Sequence, residues 1–229
     1  MLIMQSQDAP TAVLFKLWPW IEANKTRVIV GAGIIAVAIF LYSFVSWRGE
    51  QKEINAGQAM TGMALTLPPD ANASQWADAY FKVAGEYPET LAGRRAWLQG
   101  AAALFAAGRF PDAQAQFQKF LDVHPDGQFS APAALGVAAS LEAVGKLDSA
   151  ASAYQQVLSG FSSDMVVVNS AKFALARIDG QQGKITDAVN LYESIVRNNP
   201  GAPIAQEAAL RAMELRTKMA TATAAAGKP

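Results

Sequence analysis

The sequence predicts an all-α chain: one apolar helix able to cross a membrane, then a solenoid of stacked helical hairpins. Two observations carry this. Residues 28–45 read VIVGAGIIAVAIFLYSFV, eighteen residues without a charge. Further on, GRFPDA at 108–113 returns as GKLDSA at 145–150 and GKITDA at 183–188, at intervals of 37 and 38 residues. A fixed period in that range marks stacked repeats.

Composition narrows the function classes. Of the 229 residues 52% are hydrophobic, and the mean hydropathy of +0.13 is rich for a soluble protein but modest for one crossing a membrane many times. Lys+Arg and Asp+Glu each number 19, so no basic field draws nucleic acid. The absence of cysteine excludes a disulfide framework, a thiolate metal site and a lipidated N-terminal cysteine.

Residues 1–27 form a lead. TAVLFKLWPWIEANK (11–25) places Val13, Leu14, Leu17, Trp18 and Ile21 on one side of a short interfacial helix. The span follows, 28–47 with its boundary tryptophan; at about 1.5 Å per residue the uncharged eighteen cover roughly 27 Å, the thickness of a bilayer core. Lys25 and Arg27 stop the span on one side, Arg48 and Glu50 on the other, and Trp18, Trp20, Tyr42 and Trp47 stand where interfacial aromatics belong. No small-x-small cleavage site follows, so the span reads as an uncleaved anchor. Lys16, Lys25 and Arg27 before it outnumber Arg48 and Lys52 after it, which favours a cytoplasmic N-terminus. Ala32 and Ala36 form a small-residue pair that permits weak self-association of the helix.

Gly31-Ala32-Gly33-Ile34-Ile35-Ala36 also fits a dinucleotide fingerprint, which would make the chain a nucleotide-binding enzyme. That reading needs Val28-Ile29-Val30 as a strand and an amphipathic helix after it, whereas the stretch is apolar all round. The span is the better reading.

Residues 48–90 are read as a connecting helix and a degenerate first repeat: a first helix near 50–66, Pro68-Pro69, and a second helix at 74–87. Residues 91–220 hold three repeats, the last including a charged capping helix at 203–219, and 221–229 form a loose tail. Aligning the three hexamers aligns Ala113, Ala150 and Ala188, then Phe117, Tyr154 and Tyr192, then Phe120, Val157 and Ile195. Upstream fall Ala101, Ala138 and Ala176, preceded by Leu98, Leu135 and Phe173. Spacings of three and four put these on helix faces. Gly108, Gly145 and Gly183 mark turns that leave the right-handed region.

Each unit is a helix, a glycine turn, a second helix and a breaker. This resembles the tetratricopeptide repeat, whose small–small–aromatic–proline pattern is carried by Ala101, Ala113, Phe117 and Pro125, with Trp97 at the leading tryptophan position. The second unit has Ser162 in place of proline; the third keeps Ala176, Ala188, Tyr192 and Pro200.

No catalytic set is legible, so the chain reads as a binder and not an enzyme, with no cofactor. The lone histidine, His124, precedes Pro125 at a helix end; Asp112, Asp148 and Asp187 are first-turn acids favoured by the helix dipole. No H-E-x-x-H, P-loop or G-x-S-x-G occurs. Repeats that clamp a carboxylate tail carry Lys and Asn on the inner faces of their first helices; here Leu98 and Ala102, Leu135 and Ala139, and Phe173 and Arg177 stand there. The candidate partner-binding groove is Arg95, Leu98, Phe105, Leu135, Glu142, Phe173 and Arg177. Two arrangements fit it: an open groove, or residues buried against the chain's own first helix (50–66) or against neighbouring helices.

The combination of WIEANK, a glycine-rich span ending near SWRGEQ and tetratricopeptide-like repeats resembles the bacterial ancillary subunit of the Sec translocon. The repeats alone are similar to the Tol–Pal-associated cell division coordinator and to outer-membrane assembly lipoproteins. The resemblance implies a single-pass inner-membrane adaptor with a periplasmic repeat domain. Its partners would be translocon subunits, periplasmic chaperones or secreted clients. A scaffold of another envelope complex, in division, outer-membrane assembly or secretion, is the alternative.

Overall fold

The computed structural model describes residues 18–226. Helices follow one another as α1 (Lys25–Thr66), α2 (Ala73–Glu86), α3 (Leu91–Ala106), α4 (Phe110–Val123), α5 (Ser130–Ala143), α6 (Leu147–Gly160), α7 (Met165–Gln181), α8 (Ile185–Asn198) and α9 (Pro203–Ala226), with no strand among the described residues. Contacts divide the chain into two units, with the boundary between Ile54 and Asn55.

In the first unit, residues 18–23 are helical and a turn at Asn24 precedes α1; the Asn24 side-chain amide donates to the Trp20 carbonyl at 3.0 Å. Val13, Leu14 and Leu17 of the expected interfacial helix lie outside the described residues. None of residues 28–45 is buried, and Ile29, Ile34, Ile35, Phe40 and Val45 are all more than half exposed. A helix of this length and composition is able to cross a membrane. Val28, Ile29 and Val30, the strand a dinucleotide site would require, are helical.

The sequence places a boundary at 47 and starts a new helix near 50, but α1 runs unbroken through the charged stretch to Thr66. The reason is chemical: RGEQKE contains no proline, and its one glycine, Gly49, costs a helix only about 1 kcal/mol. Pro68 and Pro69 come just after the helix ends.

The second unit is a row of hairpins with four apolar clusters between them. Ala59, Met60 and Met63 pack against Val83, Ala84 and Ala96. The next cluster centres on Ala101, Ala113, Phe117 and Phe120; the next on Ala138, Ala150, Tyr154 and Val157; the last on Ala176, Ala188, Tyr192 and Ile195. All six of those alanines are fully buried, because two helix backbones approach there too closely for a larger side chain. Asn72 caps α2 in a capping box with Gln75, and Thr90 and Asp164 cap α3 and α7.

Gly108, Gly145 and Gly183 have φ of 74°, 78° and 79°, the left-handed conformation their place in the repeat calls for. Each turn closes the same way: the following N–H reaches back five residues, Arg109 to the Leu104 carbonyl, Lys146 to Leu141 and Lys184 to Asp179, at 2.9, 3.0 and 2.8 Å. Asp112, Asp148 and Asp187 occupy the first turns of α4, α6 and α8. His124 caps α4, its ring against Phe120 at 5.0 Å and Trp97 at 6.4 Å.

At the far end α9 continues to Ala226, through part of the segment expected to be a loose tail; 227–229 lie outside the described residues. Residues 220–226 read ATATAAA, and alanine is the best helix former, so nothing in the sequence ends the helix sooner.

Candidate functional site

The first helices of successive repeats touch directly, α3 with α5, α5 with α7 and α7 with α9, whereas α4, α6 and α8 do not touch one another. Tighter spacing on one side curves a helical stack toward that side. The inner face therefore belongs to α3, α5, α7 and α9.

The structure distributes the seven candidate residues unevenly. Arg95, Leu98 and Phe105 lie on α3, Leu135 and Glu142 on α5, Phe173 and Arg177 on α7. Leu98 and Phe105 are half-buried against the cluster of Phe117 and Phe120, and the Phe105 ring meets Phe110 edge-on at 5.0 Å. Leu135 packs in the same half-buried way onto the Tyr154 cluster. Arg95 is exposed.

Glu142 and Arg177 are brought together. An Arg177 guanidinium N–H donates to a Glu142 oxygen at 2.7 Å, and the Tyr154 hydroxyl donates to the other at 2.9 Å. Burial pushes the Tyr154 hydroxyl far above its ordinary value, and the Glu142 charge adds to this. Burial works against the Arg177 charge, but the hydrogen bond and the charge of Glu142 outweigh it and hold that pKa above the usual value. Of the two cations of the predicted groove, Arg177 thus has an anion of its own chain beside it.

Phe173 and Arg177 also line a cavity of about 360 Å³. Phe173, Tyr192 and Leu215 give it apolar walls, the Phe173 and Tyr192 rings meeting edge-on at 5.0 Å. Arg177, Arg211 and Lys218 stand around it, with Glu207 and Glu214 between them. Five of these, Glu207, Arg211, Glu214, Leu215 and Lys218, come from α9, and the sequence reading of that helix as a polar cap passed over them. Their signal was present: the 37-residue period continues into α9. Chemically the site offers an apolar wall with cations and anions at its edge. It suits a peptide segment with an apolar anchor better than a small charged substrate.

The tetratricopeptide repeat-like domain family matches residues 19–165, and the tetratricopeptide repeat matches 173–226. This chain belongs to the tetratricopeptide repeat-like family. The fold recurs in solved structures at low identity. One is a tetratricopeptide repeat protein from Parabacteroides merdae: 10% identity, TM-score 0.51, covering 74% of this chain and 60% of that one. Another is a putative kinesin light chain from Podosopora anserina with nearly identical TPR-like repeats: 15% identity, TM-score 0.49, covering 80% of this chain and 98% of that one. A third is MamA from Desulfovibrio magneticus RS-1: 14% identity, TM-score 0.46, covering 74% of this chain and 96% of that one. This tetratricopeptide chain thus spans about three fifths of the length of the first of them. No curated protein is significantly similar to it. Tetratricopeptide arrays are protein–protein interaction modules and generally not catalytic.

Proposed function

We propose that the chain is a membrane-anchored protein–protein interaction adaptor of the bacterial inner membrane, with residues 1–27 in the cytoplasm and the repeats in the periplasm. It works beside the Sec translocon, or in the chaperone network that receives secreted proteins. One observation carries the reading: an uncharged run of exposed apolar side chains, 28–45, stands on the same chain as a tetratricopeptide array. Such a surface is costly in water and ordinary in a bilayer. The family match begins at residue 19, so it takes in this helix along with the repeats. The excess of Lys16, Lys25 and Arg27 over Arg48 and Lys52 supports this orientation. Partners bind on the inner face, where Phe173 and Tyr192 receive an apolar anchor and Arg177 and Arg211 orient it.

The test is crosslinking in intact cells, then purification of the full-length chain from detergent-solubilised membranes washed in carbonate. The chain is expected at full length in the pellet, with translocon subunits or periplasmic chaperones attached. Protease added to spheroplasts should remove the repeats and spare the lead. A soluble mature form beginning after residue 48 would contradict the anchor. Recovery of division or outer-membrane assembly proteins instead would replace the translocon with another envelope complex.

A further inference from the structure

The helical period gives α9 the register of the first helix of a fourth repeat. Leu210 lies 37 residues after Phe173, and Met213 lies 37 after Ala176. Ala205, Ala208 and Ala212 are buried in the cluster built on Tyr192 and Ile195, just as Val168, Ala171 and Leu175, 37 residues earlier, are buried. On its other side α7 is covered by α8: Ala176 is fully buried with Ala188, and the Phe173 ring meets Tyr192 edge-on. In α9 those same positions are bare. Leu210 is 64% exposed and Met213 61%. A groove of about 570 Å³ runs beside Met213, walled by Val196, Ala209 and Ala212 and edged by Arg197 and Arg216, both paired with Glu193. Among the described residues no helix fills it.

A terminal repeat normally turns a polar face to water. Two large apolar side chains at the middle of that face depart from this rule, and the charges beside them indicate what covers it. We infer that the occupant is α9 of a second copy, running antiparallel. The row next to the apolar pair reads Glu207, Arg211, Glu214, Lys218, which is minus, plus, minus, plus. A parallel partner in register would set like charges against like. An antiparallel partner, about a two-fold axis between Ala212 and Met213, sets Glu207 against Lys218 of the partner subunit and Arg211 against Glu214 of the partner subunit. Leu210 and Met213 of both chains meet at the centre. Such a contact uses one patch twice and closes as a dimer. Within one chain the four side chains pair along the helix, Arg211 with Glu207 at 3.8 Å and with Glu214 at 3.4 Å, and Lys218 with Glu214 at 2.7 Å. The dimer adds opposite charges facing each of them.

The chain has no cysteine, so one introduced thiol is the only thiol. In the detergent-solubilised full-length chain, Met213→Cys is expected to give a disulfide-linked dimer under mild oxidation, whereas Val166→Cys, at a position 77% exposed on α7, stays unlinked. Light scattering should report a dimer that Leu210→Glu with Met213→Glu converts to monomer. As a second pair of variants, Arg211→Glu with Lys218→Glu changes exposed charges that also stand at the edge of the inner-face cavity, so the readout is the oligomeric state alone. It should weaken the dimer, and mixing with the Glu207→Lys, Glu214→Lys chain should restore a heterodimer. A chain that stays monomeric at every concentration overturns the inference. So does a dimer indifferent to all these substitutions, which would place self-association in the span at Ala32 and Ala36. A Met213→Cys chain that links only to a different protein would assign the face to that protein's helix.

Discussion

Glu142 of α5 holds Arg177 of α7 at 2.7 Å and Tyr154 of α6 at 2.9 Å, so one carboxylate ties the second repeat to the third across the inner face. Its side chain is only 13% exposed, while that of Arg177 is 51% exposed. The Tyr154 bond therefore counts for more, since water screens the ion pair. Glu142→Ala should cost about 1–3 kcal/mol, because it leaves a buried hydroxyl without its acceptor. Glu142→Gln, which keeps an acceptor and removes the charge, should cost less. Thermal unfolding of the solubilised chain followed by circular dichroism checks the order, and equal costs would show that the charge is what matters.

Ala150 has no exposed surface and lies in the cluster of Ala138, Tyr154 and Val157. Ala150→Leu forces extra methylenes into a filled site and should cost roughly 1–3 kcal/mol. An unchanged melting curve would contradict the pairing of α5 with α6.

Gly136 lies under the Phe117 ring, where an added Cβ would stand 2.6 Å from a ring carbon. Phe117 is 6% exposed and has little room to give. Gly136→Ala should therefore destabilise by about 1–3 kcal/mol despite alanine's better helix propensity. Gly57→Ala, with nothing within 4 Å, should stabilise by about 0.5–1 kcal/mol. Opposite signs for two identical substitutions in helices are the outcome to look for in parallel melts.

Burial holds the His124 imidazole below its ordinary pKa, and the nearby Arg94 charge works the same way, with Glu89 opposing. The folded chain thus takes up this proton less readily than the unfolded chain. Its contribution is complete above the unfolded value of about 6.5 and is lost as pH falls from there through the lower folded value. Melting temperatures at neutral and mildly acid pH should converge between wild type and His124→Asn on the acid side. A histidine contribution that grows on acidification would reverse the sign and refute this placement.

The sequence made legible whatever repeats at one position in three copies. Gly108, Gly145 and Gly183 share a backbone need, and Ala101, Ala138 and Ala176 a packing need, so period alone exposes them. What depends on a single tertiary contact stayed hidden. Nothing near Arg177 announces Glu142, because that pairing is made between helices 35 residues apart in sequence. Gly136 is a glycine only because the Phe117 ring lies over it; the third repeat has Ala174 at the matching place. The charged stretch after Trp47 looked like a boundary, but charge changes solvation and does not break helical hydrogen bonds.

The central claim, a tetratricopeptide adaptor that binds protein on its inner face at the membrane, is tested most directly by a photoreactive amino acid at Phe173 of the full-length chain in its native membranes. Gln156, exposed on α6, serves as the control position. The account predicts light-dependent crosslinks from 173 to a defined protein, recovered in the membrane fraction and absent from 156. Crosslinks of equal strength from both positions, or none from 173 while 156 captures the partner, would contradict it.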